Sequence, residues 1–570
     1  MSILDTDDFP VAVAIDFGTT FSGCAYVCIP HDKEPKLISE WPNQRMSYAK
    51  APTISLYKKT KEGYEMSAWG SSVKYERELL RSECMHLYKF KPHLDENTEL
   101  PPWNRPIPVH DAIADYLKGF HEYTARQIEQ QLGGRWTREN FRYYLTVPAM
   151  WSDKAKHIMR WAAIRANLIN EDDHPDRLVL VSEPEAAALH CERTCKEYNL
   201  KHGDRFLICD AGGGTVDLIV YNVTDSPNGQ TLSEVTKGHG ATCGSMLIDL
   251  NFGNLLIDKL GKQGVKLRDH VIPSLVETFA YSLKPNFDGT NDIHLPLPYD
   301  PFCTPIKDFD ALDIDDGVMC FNAADMRKIV FDPVVEKVLQ LIQDQIFKAK
   351  TVSAIFLVGG FGSSTYLLER VKQAFGKEVK IISTPYRPEI AVVFGAAYTA
   401  MSPKKVTARA IRRCYGVGVY TDFVTGIDPP HLKGSKLGRS VCYDRFSTFV
   451  KQGQLVNVDE CIARRHFFEN EGDLNPDDGY EIAVYAVDGD PPRHVTGLAK
   501  LAYISIPNPF KPTDPLGLEV EFTVRFYFGL SEIKVEAVVQ GKLYVTRLEF
   551  DGDSRTKDRK QILFHQKREN

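Results

Sequence analysis

Two segments far apart in this chain carry one hydrophobic–polar pattern. Val11-Ala-Val-Ala-Ile-Asp16 is an apolar run that ends on a carboxylate. Phe17-Gly-Thr-Thr20 is a turn of glycine and hydroxyl residues, and the chain is apolar again from Phe21 to Val27. Phe206-Leu-Ile-Cys-Asp210 repeats the run, Gly212-Gly-Gly-Thr215 repeats the turn, and Asp217-Leu-Ile-Val-Tyr221 repeats the return. Short apolar runs bounded by turn signals read as buried strands, so each segment predicts a hairpin. The internal repeat predicts duplicated lobes that face each other across a ligand.

The intervening patterns alternate between helix and strand. Ile113, Tyr116, Leu117, Phe120 and Ile128 recur at helical spacing and predict a helix over 109–132, stopped by Gly133-Gly134. A strand over 141–147 ends at Pro148, and Ser152 caps a helix with Ile158, Met159, Ala162 and Ala166 on one face. A buried strand over 178–181 runs into Ser182-Glu-Pro-Glu185, where Pro184 suits a first helical turn. That puts Glu183 at a strand-to-helix corner, where α/β folds place functional groups. Lys237 to Ser245 is another glycine-rich turn, followed by a helix to Leu260; its Gly244 falls one residue late for a dinucleotide fingerprint. After a Pro/Asp-rich excursion over 285–321, Asn322 caps a long helix over 323–348. Residues 354–364 give a strand, a glycine turn and a helix start, and Pro388 opens a last helix to Met401.

Ser402-Pro-Lys-Lys405 breaks this rhythm and divides a domain over 1–402 from one over 403–550. Short runs at 415–420, 448–450, 480–487, 501–506, 518–528, 534–538 and 542–550, separated by Gly, Pro, Asn and Asp, predict an antiparallel β-domain. Residues 551–570 are charged apart from Ile562-Leu-Phe564 and read as a free tail or one short helix.

Composition narrows the function classes. At 570 residues the chain exceeds one ordinary domain. Its 43% hydrophobic and 25% charged content is that of a globular protein. A net charge of −7 argues against a dedicated nucleic-acid binder. No apolar run approaches the roughly 20 residues of a membrane span, and the acidic N-terminus is unlike a signal peptide. A cytoplasmic location is expected. The 12 cysteines are scattered without a Cys-x-x-Cys pair, so reduced, mostly buried thiols are expected. The sequon at Asn222 is then a chance match.

The turns suggest phosphate chemistry. Successive glycines let backbone N–H groups converge on a ligand. Asp16 and Asp210 could contact the waters of a magnesium ion, which dehydrates reluctantly. No Gly-x-x-x-x-Gly-Lys-Ser/Thr loop exists, and Asp16-Phe-Gly18 lies too near the N-terminus to belong to a protein kinase. In Leu87-Tyr-Lys-Phe-Lys-Pro92, alternation places Lys89 and Lys91 on one side, by default as surface lysines.

Ile15 to Ser22, Leu145-Thr-Val-Pro-Ala149, Ser182 to Ala188, Asp210 to Asp217, Leu357-Val-Gly-Gly360 and Phe394-Gly-Ala-Ala397 together resemble the heat-shock protein 70 (DnaK-type) family of the actin-like ATPase superfamily. The resemblance covers about residues 10–400. It is similar to a divergent branch, the atypical member-12 subgroup and its fungal relatives. It implies an α/β fold: an actin-like ATPase domain of two ribonuclease-H-like lobes, then an antiparallel β-sandwich with no helical lid.

The resemblance also implies roles. Gly18, Thr19 and Thr20 would hold phosphates from one lobe, with Phe21 beside them; Gly212, Gly213, Gly214 and Thr215 would do so from the other. Asp16 and Asp210 would orient waters on Mg²⁺, with Asp217 nearby. Glu183 and Asp210 would position the attacking water, since phosphoryl transfer needs mainly positioning and charge neutralisation. A catalytic lysine is expected at Lys89, with Lys91 the alternative. Gly244, Lys284, Gly359, Gly360, Phe361 and Glu389 would line the nucleoside. Pro148 and Lys156 match an interdomain relay. Phe361-Gly-Ser363 stands where the family carries an adenine-stacking arginine, and the interdomain linker is basic. The implied function is slow hydrolysis of Mg-ATP coupled to binding of unfolded or extended polypeptide, with co-chaperones as further partners. The protein would be a monomer with no nucleic-acid or membrane partner. The alternative is a nucleotide-gated scaffold with little or no ATPase activity. A small-molecule kinase of the superfamily is disfavoured by the C-terminal β-domain.

Overall fold

The structure is a computed structural model. It describes residues 9–545, apart from 30, 45–47, 77–83, 97–99, 228, 269–270, 299–300, 303–307, 471 and 473–478, together with the backbone of 564–565. The chain forms two compact units. One comprises residues 2–232 and 238–405; the other comprises 406–570 with 233–237.

The larger unit contains two sheets with one strand order. In the first, Phe21–Cys28 lies between Lys36–Ile38 and Val11–Asp16, and the order continues through Phe141–Val147 to Leu178–Ser182. In the second, Val216–Ser226 lies between Gly229–Glu234 and Arg205–Ala211, and the order continues through Ala354–Val358 to Ile381–Ser383. Each sheet is an antiparallel hairpin extended by two parallel strands. In each, a three-residue strand also pairs with the start of the hairpin's return strand: Lys50–Pro52 in the first and His239–Ala241 in the second. The sequence repeat is thus a repeat of topology. Its strands are buried on both faces, which is why they read as unbroken apolar runs.

Helices cover the sheets. Ser152 caps Asp153–Arg165, its Oγ accepting from the Ala155 N–H at 3.2 Å. Val109–Gln131 buries the apolar positions expected of it. Glu183–Thr194 touches strands of both sheets and packs against Ala391–Met401. Gly395 permits that contact, because a methyl group there would overlap the Ala186 carbonyl. The helix expected over 323–348 is interrupted. Asn322 caps it, but Met326–Phe331 is a π-turn, and the regular helix runs Asp332–Ala349. Pro333 has no N–H to donate to the preceding turn, and the widened turn absorbs that loss.

The second unit is built of β-strands. Lys433–Lys436, Arg439–Val450, Cys414–Asp422, Tyr480–Val487 and Lys500–Ile506 form one antiparallel group. Cys461–Glu469, Glu519–Tyr527, Lys534–Val539 and Lys542–Val545 form another. Both contribute to one apolar core, including Val417, Ile482, Val484, Phe468, Phe522 and Phe526. The strand Cys461–Glu469 was not expected: Arg464, Arg465 and His466 mask its alternation, although the buried residues at its end, His466, Phe468 and Glu469, show which face is inward. Most of the C-terminal tail lies outside the described residues. Phe564–His565 adds a short strand beside Val419–Tyr420, where a helix or free tail was expected.

Candidate functional site

Strand register builds the site row by row. In the first sheet Asp16 is paired with Gly23, and Gly23 with Lys50. In the second, Asp210 is paired with Asp217, and Asp217 with Gly240. Residues of one such row share a face of the sheet. Lys50 and Asp16 therefore flank a residue without a side chain, and the lysine stem crosses it. A Cβ on Gly23 would stand 3.1 Å from Lys50 Cγ. The Lys50 ammonium donates to Asp16 Oδ2 at 2.6 Å, and Thr146 Oγ1 donates to Asp16 Oδ1 at 3.2 Å. Burial works against this charge, yet Asp16, then Tyr48 and Asp210, hold the Lys50 ammonium above its ordinary range.

The two turns meet. A methyl group on Gly213 would overlap the Thr20 side chain, and one on Gly214 would overlap Thr19. The carbonyls of Gly212, Gly213 and Gly214 accept from the N–H groups of Ser245, Met246 and Gly244, at 3.1, 2.9 and 3.0 Å. In a trans peptide the N–H points opposite to the C=O. Fixing these carbonyls on the start of helix Met246–Lys262 therefore aims the N–H groups of Gly213, Gly214 and Thr215 the other way. This is the role of Gly244 that the geometry shows.

Four carboxylates are buried here: Asp16, Glu183, Asp210 and Asp217. Burial, with Glu183, Asp16 and Asp217 adding to it and Lys50 opposing, raises the Asp210 carboxyl well above its usual range. Asp217 is also raised by burial; it accepts from the Met150 N–H at 3.2 Å, and its Oδ2 has no hydrogen-bond partner. Glu183 begins its helix, as expected, and pairs with Lys91 at 2.5 Å. Burial outweighs that pairing, and with Asp217 and Asp16 beyond it the Glu183 carboxyl is pushed up to about 7.

The lysines expected on one side of a strand are separated. The strand ends at Tyr88, Lys89 takes a left-handed φ of 57°, and Lys91 opens a 3₁₀ turn. Lys91 is buried, with its ammonium 5.7 Å from the Phe17 ring centre and 5.4 Å from that of Trp151. Lys89 is half-buried, its ammonium lowered by burial, with Asp249 and Lys284 as its charged neighbours. The structure brings Lys91, not Lys89, to Glu183.

The remaining candidates surround this centre. Gly359, at φ 83°, lies so close to Ala211 and Asp210 that a side chain would overlap both. Phe361 is buried in the Gly359–Gly362 turn, which packs against Pro388–Ile390 and so against Glu389. Glu389 pairs with Arg387 at 2.9 Å. Lys284 reaches Asp249 at 2.7 Å and Ser245 Oγ at 3.5 Å. Phe21 makes edge contacts with Tyr48 and Tyr281. Sequence reasoning missed Lys50; its one signal was a lone lysine among small apolar residues in Ala49-Lys-Ala-Pro52. It also missed Thr146, and the charged knot of the second unit. There Asp428, Cys442 and His494 lie within ligand distance, but Asp428 already takes Arg445 at 2.7 Å and Arg493 at 2.8 Å. Two guanidiniums on one carboxylate oppose a metal ion, so this cluster is an ionic knot.

The family model described as Hsp70 protein matches residues 128–408. The human protein Heat shock 70 kDa protein 12A is 26% identical over 94% of this chain and 90% of its own length. Human Heat shock 70 kDa protein 12B is 26% identical over 93% and 89%, and mouse Heat shock 70 kDa protein 12A is 27% identical over 81% and 80%. This chain is a divergent member of the heat-shock protein 70 family. The repeated sheets are its actin-like ATPase fold. The heat-shock protein 70 family generally binds ATP or ADP with Mg²⁺. Two ammoniums, Lys50 and Lys91, face four buried carboxylates. Burial raises Glu183, Asp210 and Asp217, with mutual repulsion adding to it at Glu183 and Asp210. A bound cation would favour their charged forms, and Asp217 Oδ2 is unsatisfied. A hydrated divalent cation fits. Among the described residues, no helix is long and apolar enough to cross a membrane.

Proposed function

We propose that this protein binds ATP and ADP with Mg²⁺ between its two hairpins, hydrolyses ATP slowly, and couples the nucleotide state to binding of extended polypeptide by the β-unit. The observation that carries the reading is the pair of glycine–threonine turns meeting over four buried carboxylates. Thr19, Thr20 and the N–H groups of Gly213, Gly214 and Thr215 hold phosphate oxygens. Asp16, Asp210 and Asp217 would hold the waters of Mg²⁺, which when bound neutralises charge on the phosphates. Glu183, with its carboxyl near neutrality, takes a proton from the attacking water. Lys91 orients Glu183 and offsets the charge that develops, the part the resemblance had assigned first to Lys89. The nucleoside lies along Gly359, Gly360 and Glu389. The β-unit acts as the family's substrate-binding sandwich, and the protein works as a cytoplasmic monomer.

A second reading has its own support. Lys50 engages Asp16, and Gly362-Ser363 provides no arginine for the base; both favour a nucleotide-gated scaffold with little turnover. Steady-state hydrolysis with and without an unfolded polypeptide separates the readings. Stimulated turnover supports the chaperone-like ATPase. Background turnover, with ATP-dependent protease sensitivity at residues 402–413, supports the scaffold. No ATP-dependent change in either assay contradicts both.

A further inference from the structure

The mechanism above leaves Lys50 unused. Its side chain lies in the row of Asp16 and on the same face of the sheet. Adjacent strands are about 4.8 Å apart, so the two α-carbons of this row are separated by roughly 10 Å. The lysine stem crosses over Gly23, where an added Cβ would stand 3.1 Å from Lys50 Cγ, so the glycine leaves the crossing unhindered. The result is a buried ammonium 2.6 Å from a carboxylate of the metal-facing set. Both Asp16 oxygens are thereby engaged, Oδ2 by Lys50 and Oδ1 by Thr146. The corresponding row of the second sheet has Asp210 and Asp217 and ends in Gly240, with no cation of its own.

An ammonium offers three donors. Asp16 takes one, so donors remain for a phosphate oxygen entering between the turns. A positive charge at this point also repels a divalent cation and removes part of the negative charge that would attract one. We propose that Lys50 is a resident counter-cation of the phosphate site, so that this protein holds a nucleoside di- or triphosphate with little dependence on divalent metal. The proposal rests on the nucleotide reading above. It makes the first lobe a lysine-based phosphate holder and leaves metal-dependent chemistry to the second. If Lys50 only balanced Asp16, its removal would change stability and leave the metal dependence of nucleotide affinity as it was.

The test uses the full chain and titrates ADP and ATP by calorimetry, in Mg²⁺ and in EDTA. The wild type is expected to bind in EDTA within about threefold of its affinity in Mg²⁺. Lys50→Gln and Lys50→Met are expected to lose about tenfold or more in EDTA, as for loss of a charge-assisted hydrogen bond, and to recover with Mg²⁺. Lys50→Arg keeps the charge and should behave as the wild type, and its thermal unfolding reports whether the row still folds. A wild-type loss of about tenfold or more in EDTA overturns the proposal. So does an unchanged Mg²⁺-to-EDTA ratio in the neutral variants. Absence of binding by the wild type in either buffer instead contradicts the nucleotide reading, and the proposal falls with it.

Discussion

The two hairpins share strand order, turn chemistry and a terminal aspartate, but one row distinguishes them. The first runs Asp16, Gly23, Lys50; the second runs Asp210, Asp217, Gly240. The first aspartate is neutralised by a lysine of its own sheet. The second has another carboxylate beside it and only distant compensation. A duplicated scaffold can therefore keep its geometry while its charge is redistributed. A carboxylate without a partner is raised by burial and by its neighbours, and it is the one poised to gain from a bound cation.

Breaking each half separately sharpens this contrast. The largest effect is expected at the uncompensated aspartate. Asp210→Ala should lower turnover by about a hundredfold or more, and Asp16→Ala by about tenfold, because Lys50 would survive to meet the phosphate. Equal losses in the two variants, read from single-turnover hydrolysis, would contradict the asymmetry.

The lysines come next. Lys91→Met leaves Glu183 buried without its partner, which costs about 3–5 kcal/mol; denaturant unfolding would read this together with a large drop in turnover. Lys89→Met, at a half-buried position, should change both by far less. A reversal of that order would return the catalytic assignment to Lys89.

The pH dependence follows from Glu183. Its carboxyl is raised from 4.5 to about 7 in the folded protein. The associated stability is fully present below the unfolded value and is lost as pH rises through the folded one, by at most about 3 kcal/mol. Buried His121, His190 and His466 are held low by burial and act in the opposite sense over this range. The effect is therefore a difference between variants: the stability of the nucleotide-free wild type relative to Glu183→Gln should fall between pH 5 and pH 8. Turnover should rise with pH, with a midpoint near 7, and Glu183→Gln should abolish that midpoint. A wild-type stability that does not fall relative to Glu183→Gln between pH 5 and pH 8 would show that Glu183 is charged throughout.

The smallest effects distinguish the glycines of the two rows. Gly240→Ala places a methyl group against the Val216 carbonyl, which cannot move cheaply. Gly23→Ala meets only the flexible Lys50 stem at 3.1 Å. Overpacking typically costs about 1–3 kcal/mol, and thermal unfolding should show Gly240→Ala as the more damaged of the two.

Much of this site was legible because its signals are local. The apolar runs ending at Asp16 and Asp210, the Ser152 cap and Pro184 in a first helical turn are each written within a few adjacent residues. The unread parts depend on longer relations or on single torsions. Lys50 reaches Asp16 only through register across three strands. Lys91 rather than Lys89 faces Glu183 because Lys89 adopts a left-handed conformation, which alternation cannot anticipate. The strand Cys461–Glu469 was hidden by arginines whose polar heads contradict its pattern. The π-turn before Asp332 came from one missing N–H.

The central claim is that the two hairpins form one nucleotide clamp. Calorimetric titration of ADP and ATP with Mg²⁺ into the wild type and Gly214→Val, whose added side chain would overlap Thr19 of the opposite turn, tests it most directly. The account predicts one nucleotide per chain for the wild type and an affinity lower by about tenfold or more for Gly214→Val. Equal affinity in both proteins, or no binding to the wild type, would contradict it.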